Sequence, residues 1–216
     1  HTNELETLRR ENAELRLKLD ERELENQYLA RTKKELENLA TKDPLTDLYN
    51  RRGFSETLEK ISGEAPAEDE KEDARTNPQK KDVSVLLLDV DNFKIINDAY
   101  GHSTGDAVLK QLAKTLHDAL RSTDILGRLG GEEFGILFPE TSIAAARATA
   151  DRLRSIAAMV ETRAENSLEM IRFTVSMGVA QAATGIESPE DLMRLADNAL
   201  YRAKNSGRNR VVCASE

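Results

Sequence analysis

The sequence predicts an α/β (α+β) domain, a sheet covered by helices, behind a long coiled-coil helix. Three observations carry that reading. Heptads run unbroken through residues 1–41, a short apolar strand is followed by a hairpin, and helical periods alternate with these strands.

Residues 1–41 contain no glycine or proline and are dense in Glu, Leu, Arg and Lys. Counted from Leu5, the a positions are Leu5, Asn12, Leu19, Asn26, Lys33 and Ala40. The d positions are Leu8, Leu15, Arg22, Leu29 and Leu36. This pattern predicts a parallel coiled coil, hence a homodimer, and asparagine at a favours paired strands in one register. Leu17, Leu24 and Tyr28 define a second, shorter seam where Arg22, Asn26 and Lys33 weaken the first. Two registers are either a switch or an imperfect coiled coil.

In "TKDPLTDLYNRRGF" (Thr41 to Phe54), Pro44 disfavours helix at Asp43 and ends the long helix. The expected domains are therefore 1–41 and 42–216. "NRRGFSETLEKI" reads as a short amphipathic helix. Residues 63–82 are charged, hold two prolines and lack large apolar side chains, so they read as a surface loop or a disordered segment.

"VSVLLLDVD" is a continuous apolar strand ending in Asp89 and Asp91. "TGDAVLKQLAKTLHDAL" has helical periodicity, and "DILGRL" with "EEFGILF" makes a hairpin around Gly130-Gly131. That pair suits a two-residue turn with positive φ. "IAAARATADRLRSIAAMVE" reads as a second long helix and "MIRFTVSMGVA" as an alternating strand. "SPEDLMRLADNALYRAKNSG" is a helix with Ser188 as N-cap, Pro189 at its first position and Gly207 near its end. "RVVC" closes the chain as a strand.

The 216 residues suffice for one ordinary domain plus an extra element. With 39% hydrophobic and 32% charged residues the composition fits a soluble protein, and a net charge of −8 argues against a general nucleic-acid surface. Cys213 is the single cysteine, which points to a reducing compartment and a cytoplasmic location. No apolar run approaches the roughly 18 residues of a membrane helix, and no signal peptide is expected.

The acids carry the chemistry. If the strands bearing Asp89, Asp91, Glu132 and Glu133 are neighbours, three or four carboxylates converge, an arrangement that requires a cation. Hard oxygens without nearby His or Cys favour magnesium shared with substrate phosphates. Strand alternation sends Glu132 and Glu133 to opposite faces, so at most one is the principal ligand. The competing reading is solvated, idle acids at a turn.

"DNFKIINDAYGHSTGDAVL" places Phe93, Asn97, His102 and Asp106 between these acids and a helix. An asparagine amide and a carboxylate together match the donor and acceptor edge of guanine. "GHSTGD" offers a helix start where backbone amides face phosphate, and Lys204 and Arg208 offer cations to a triphosphate. No GxxxxGK[ST] loop is present, which excludes a P-loop NTPase.

In order, "DPLTDLYNRR", "LLLDVDNFKIINDAYGHSTGD", "RSTDILGRLGGEEF", "FTVSMGVA" and "ADNALYRAKNSGRN" resemble the motifs of GGDEF-domain diguanylate cyclases. The resemblance covers about 41–213. Asp47 stands where that family usually has glycine, and the 63–82 loop is longer than is common. The resemblance implies a nucleotidyl-cyclase or palm-like domain with a mainly antiparallel central sheet flanked by helices. It implies condensation of two GTP molecules into cyclic di-GMP with release of two pyrophosphates.

By motif, the resemblance assigns magnesium, or manganese as a substitute, to Asp89, the Val90 carbonyl and Glu132, with Glu133 an additional ligand. Glu132 is also the catalytic candidate for accepting the 3′-hydroxyl proton, unless the metal makes a base dispensable. Asn97 and Asp106 would recognise guanine, with His102 close to the nucleotide. Phe93, Lys94, Lys204 and Arg208 would contact phosphates by backbone or side chain. "RSTD" matches the family's RxxD product-inhibition site, so Arg121 and Asp124 would bind guanine of cyclic di-GMP. Arg152 would be the arginine that a neighbouring domain adds there. The alternatives are a catalytically inactive module that binds GTP or cyclic di-GMP as a receptor, and a coiled-coil assembly module. The intact acids, Asn97, Asp106, Lys204 and Arg208 oppose both.

Overall fold

The computed structural model describes residues 16, 18–19, 22–33, 36, 40–63, 82–165, 167–182 and 188–215. The heptad positions Leu5, Leu8, Asn12, Leu15 and Leu17, and loop residues 64–81, lie outside these. Contacts divide the chain into two units, His1–Ala40 and Thr41–Glu216. In the first, helix α1 covers 22–33, and the other described positions before 41 are helical too. Leu19 and Leu29 of one seam and Leu24 and Tyr28 of the other are all exposed on it.

The second unit contains α2 (Arg51–Gly63), β1 (Val83–Val90), α3 (Phe93–Tyr100), α4 (His102–Ala119), β2 (Ile125–Arg128) and β3 (Glu133–Pro139). These are followed by α5 (Ile143–Ala157), β4 (Glu161–Arg163), β5 (Met170–Arg172), β6 (Val175–Gln181), α6 (Pro189–Asn205) and β7 (Val211–Cys213). The main sheet has the order β2-β3-β1-β6-β7, and β4-β5 form a separate hairpin. β1 pairs antiparallel with β3 and β6, and only β7 pairs parallel, so the sheet is mainly antiparallel as the family resemblance implies.

β1 is central, and each of its residues is buried. That is why it reads as a continuous apolar run rather than an alternation. Leu86, Leu88 and Val90 enter a core with Leu109 and Leu112 of α4 and Ala150 and Leu153 of α5. Val83, Val85 and Leu87 enter a second core with Phe54 and Leu58 of α2 and Leu192, Ala196 and Leu200 of α6. Period two thus sorts one strand into two layers of helix. α6 lies unusually close to β6: a Cβ at Gly178 would come within 2.2 Å of the Ala196 carbonyl oxygen. Its start is as expected, with Ser188 Oγ accepting from Asp191 N at 3.1 Å and Pro189 in the first turn.

Two expectations are corrected. The helix read through Glu161 ends at Ala157, and Glu161 opens β4 instead. "MIRFTVSMGVA" is not one strand, because β5 ends at Arg172 and β6 begins at Val175. The break follows from Thr174, whose carbonyl accepts from Asp91 N (2.9 Å) and whose hydroxyl donates to Asp91 Oδ2 (2.6 Å). The segment before "GHSTGD" forms a helix of its own, α3, joined to α4 through Gly101 at φ 84°. Asp47, the departure from the family pattern, has φ 59°, a left-handed conformation that glycine adopts freely and aspartate tolerates.

Thr162 on β4 is buried, and its hydroxyl is the one buried side-chain polar atom without a hydrogen-bond partner among the described residues. Replacing it by the isosteric valine removes an unmet desolvation penalty. Thr162→Val should raise stability by about 1 kcal/mol, read from the urea midpoint. An unchanged or lower midpoint would mean that the hydroxyl has a partner in solution.

Candidate functional site

Asp89 lies opposite Glu133 across the β1–β3 ladder, and Val90 N donates to the Glu132 carbonyl at 3.3 Å. Cross-strand partners project from the same face. By alternation Asp89 shares the face of Val85 and Leu87, the one covered by α2 and α6. Both helices send a cation to it. Lys204 Nζ of α6 sits 2.7 Å from Asp89 Oδ2, and Arg51 Nη2 of α2 sits 3.1 Å from Glu133 Oε2.

Asp89 is only 7% exposed. Burial pushes its carboxyl above the ordinary value, Lys204 pulls it down, and the charges of Glu132 and Glu133 push it up again, with a net rise. Three carboxylates are therefore close enough to repel, and Lys204 offsets only part of that charge. Among the described residues, no three His, Cys, Asp or Glu side chains are drawn together tightly enough to hold a metal ion. The donors nonetheless suit a hard divalent cation in kind: all are oxygens, one is desolvated, and their mutual repulsion is what a cation would relieve.

Asp91 does not join this cluster. Its carboxylate accepts from Thr174 Oγ1, Ser176 Oγ and Asn209 N, so the expected convergence is of three acids, not four.

The hairpin differs from the expected two-residue turn. Gly130, Gly131 and Glu132 form an open loop closed by Leu129 N donating to Glu133 O at 2.8 Å. Neither glycine has positive φ. Side chains hold the loop instead. Arg128 donates to the Gly131 carbonyl through Nε (3.0 Å) and Nη2 (2.8 Å), and Arg51 Nε donates to Leu129 O (2.9 Å). Arg128 Nη1 reaches both oxygens of Asp43 at 3.1 Å, and Asp43 Oδ1 also accepts from Thr46 N and Oγ1. A Cβ at Gly131 would meet nothing within 4 Å, so the chain has no internal need for glycine there.

The structure brings Asn97, His102 and Asp106 to one junction, the end of α3 and the start of α4. A Cβ at Gly105 would lie 2.0 Å from Asn97 Oδ1, so the Asn97 amide packs on the first turn of α4, one residue from Asp106. His102 and Asp106 are exposed there. Phe93 is 6% exposed and packs in the core, so of the two routes expected for it the backbone N–H, in the first turn of α3, is the one left open to a phosphate. Lys94 is exposed beside it. Arg208 is exposed in the turn after α6 at φ 60°.

"RSTD" forms a tight turn between α4 and β2. Arg121 N donates to Asp124 Oδ2 (3.0 Å), and Asp124 N donates to Arg121 O (3.1 Å), leaving the Arg121 side chain exposed. Arg152, expected to reach another domain, donates through Nη2 to Ala119 O (2.8 Å) of its own α4, two residues before Arg121.

Sequence reasoning missed Asp43, Arg51 and Arg128 as the brace of the loop. The contacts of Arg51 with Leu129 and Glu133 and of Arg128 with Asp43 span 78 to 85 residues, so no local spacing marks them.

Residues 40–210 match the family described as "Diguanylate cyclase, GGDEF domain". The chain is 42% identical over 184 residues to diguanylate cyclase DgcM of Escherichia coli (strain K12), covering 85% of this chain and 41% of that protein. It is 38% identical over 174 residues to the response regulator PleD of Caulobacter vibrioides, covering 81% of this chain and 36% of that one. The chain thus spans less than half the length of either relative. The coiled coil and GGDEF domain of DgcB from Caulobacter crescentus, solved in complex with c-di-GMP, superimposes with a TM-score of 0.80 at 30% identity, covering 92% of this chain and 98% of that one.

Burial pushes the Asp43 carboxyl up, but hydrogen bonds from Thr46 and Arg128 and the Arg128 charge outweigh it and hold the group below 3.8. A depressed carboxyl stabilises the fold above its unfolded value, and that contribution is lost as pH falls through the folded value. At neutral pH, Asp43→Asn should lower stability by about 1–3 kcal/mol. The gap to wild type should shrink as pH drops below 3.8. Urea midpoints across that range test this, and a pH-independent gap would contradict the brace.

Proposed function

The chain belongs to the GGDEF family of diguanylate cyclase domains, and from that premise we propose that it condenses two GTP molecules into cyclic di-GMP, releasing two pyrophosphates. The observation that carries this reading is the edge where Asp89 stands opposite Glu133 and next to the Glu132 carbonyl, beside Lys204. The Asn97–Asp106 junction supports the choice of guanine.

Asp89, the Val90 carbonyl and Glu132 would hold Mg2+, or Mn2+ in its place, with Glu133 joining only by giving up Arg51. When bound, the ion would offset triphosphate charge and acidify the 3′-hydroxyl. Asn97 and Asp106 hold the guanine edge, with His102 alongside. The Phe93 N–H, Lys94, Lys204 and Arg208 meet the phosphates. Glu132 accepts the 3′-hydroxyl proton as that oxygen bonds to the α-phosphorus of the second GTP, whose pyrophosphate leaves. Positioning and charge neutralisation supply most of the acceleration.

The product is two-fold symmetric and each domain binds one GTP, so two copies must face each other. Leu19, Leu29 and Leu36 of the first seam are exposed on the N-terminal helix and suit pairing as a parallel coiled coil, and Leu24 and Tyr28 of the second seam are exposed as well. Such pairing raises the effective concentration of the second domain. Among the described residues no helix is long and apolar enough to cross a membrane. A cytoplasmic site of action fits the GTP substrate and the single cysteine.

Arg121 and Asp124, with Arg152 supplied by a neighbouring domain, form a separate site for cyclic di-GMP as product inhibitor. Cyclic nucleotide bound to DgcB is consistent with this, though it speaks for that protein alone.

Incubation with GTP and Mg2+ should yield cyclic di-GMP and pyrophosphate by nucleotide chromatography. GTP bound without turnover would instead identify a receptor. Glu132→Gln should lower turnover by about a hundredfold or more while GTP binding stays measurable, and wild-type rates in that variant would sink the metal edge. Arg121→Ala should leave the initial rate intact and shift the inhibition curve to higher product. A curve that does not move would reduce "RSTD" to a structural turn.

A further inference from the structure

Asp91 stands two residues beyond Asp89, yet its surroundings are different. It is 6% exposed. Oδ1 accepts from Ser176 Oγ at 2.6 Å, and Oδ2 accepts from Thr174 Oγ1 at 2.6 Å and Asn209 N at 3.0 Å. Both oxygens are thus engaged by this chain, and three donors converge on an acceptor-only group. A neutral amide cannot receive all three.

The third donor matters most. Asn209 follows Arg208 in the turn between α6 and β7, with φ values of 46° and 60°. Two consecutive non-glycine residues in the left-handed region persist only where the surroundings over-determine them. Here they do. Asp91 holds Asn209 N, Arg154 Nη1 of α5 holds Asn209 Oδ1 at 3.0 Å, and Arg208 N donates to Ala203 O at 3.1 Å. Lys204, four residues before Arg208, meets Asp89 directly. The end of β1 and the residue after it therefore grip this part of the chain twice, at Lys204 near the end of α6 and at Asn209, the residue after Arg208.

We propose that Asp91 is a positioning residue for phosphate binding and not a metal ligand: with Arg154 outside, it fixes the left-handed turn from which Arg208 projects toward the triphosphate. This rests on the proposed function in taking the ligand of Arg208 to be the β- and γ-phosphates of GTP.

The test is calorimetric titration of the whole chain with 3′-deoxy-GTP, which cannot condense, and with GMP, which lacks those phosphates. Asp91→Asn and Arg208→Ala should each weaken 3′-deoxy-GTP by about tenfold, the scale of one charge-assisted contact, and leave GMP within about twofold. The double variant should be no weaker than Arg208→Ala alone, since both changes remove one interaction. The Mg2+ concentration for half-maximal 3′-deoxy-GTP binding should match wild type in Asp91→Asn. A raised Mg2+ requirement would make Asp91 a ligand, and equal weakening of both nucleotides would make it merely structural; either overturns the inference. Should Asp91→Asn fail to fold, Arg154→Gln loosens the same turn from the surface. It should weaken 3′-deoxy-GTP a few-fold while sparing GMP, and no such separation overturns the inference too. Wild-type protein that binds no 3′-deoxy-GTP would overturn the functional reading itself.

Discussion

A carboxylate buried at the end of the central strand is the constraint around which the domain is arranged. β1 is covered on both faces, so Asp89 and Asp91 cannot turn to solvent without breaking the sheet. A desolvated carboxylate must be met by a cation or by several donors. Asp89 is met by Lys204 and Asp91 by two hydroxyls and a backbone amide. One partner of each, Lys204 for Asp89 and the Asn209 amide for Asp91, falls on the same stretch of chain, the end of α6 and the turn after it, while the hydroxyls come from Thr174 and from Ser176 of β6.

The second acidic element arrives by a different route. Glu132 sits on, and Glu133 opens the strand after, a loop whose backbone is tied by two arginines rather than by left-handed residues. A loop held through carbonyls keeps its surface open, and Gly131 adds no side chain to close it. Arg128, held by Asp43 with both side chains largely buried, anchors the loop, while Gly131 stays uncrowded.

Much of this was legible in the sequence where the causes are local. The uninterrupted apolar run of β1, the Ser188 cap with Pro189, and the pairing of "DILGRL" with "EEFGILF" all appear in the structure as read. What escaped was set by distant partners. The Asp43–Arg128 brace joins residues 85 apart, and Asp91 meets Asn209 across 118. Phe93 was marked by its place in a motif, and what the motif does not show is that its side chain also packs in the core. The end of α5 was misplaced because "AAMVE" keeps a helical period that tertiary packing overrides at Ala157. Asp47 was seen only as a departure, and its left-handed backbone gives the reason that glycine is usual there.

The central claim is that Asp89 and Glu132 form a divalent-cation site that becomes complete with a guanine triphosphate. Electron paramagnetic resonance of Mn2+ reads it directly, since bound ion loses the free-ion signal. With 3′-deoxy-GTP present, wild-type protein should bind Mn2+ in proportion to its concentration, and Asp89→Asn should need about tenfold more ion for the same loss of signal. Equal Mn2+ binding by the two proteins would contradict the claim.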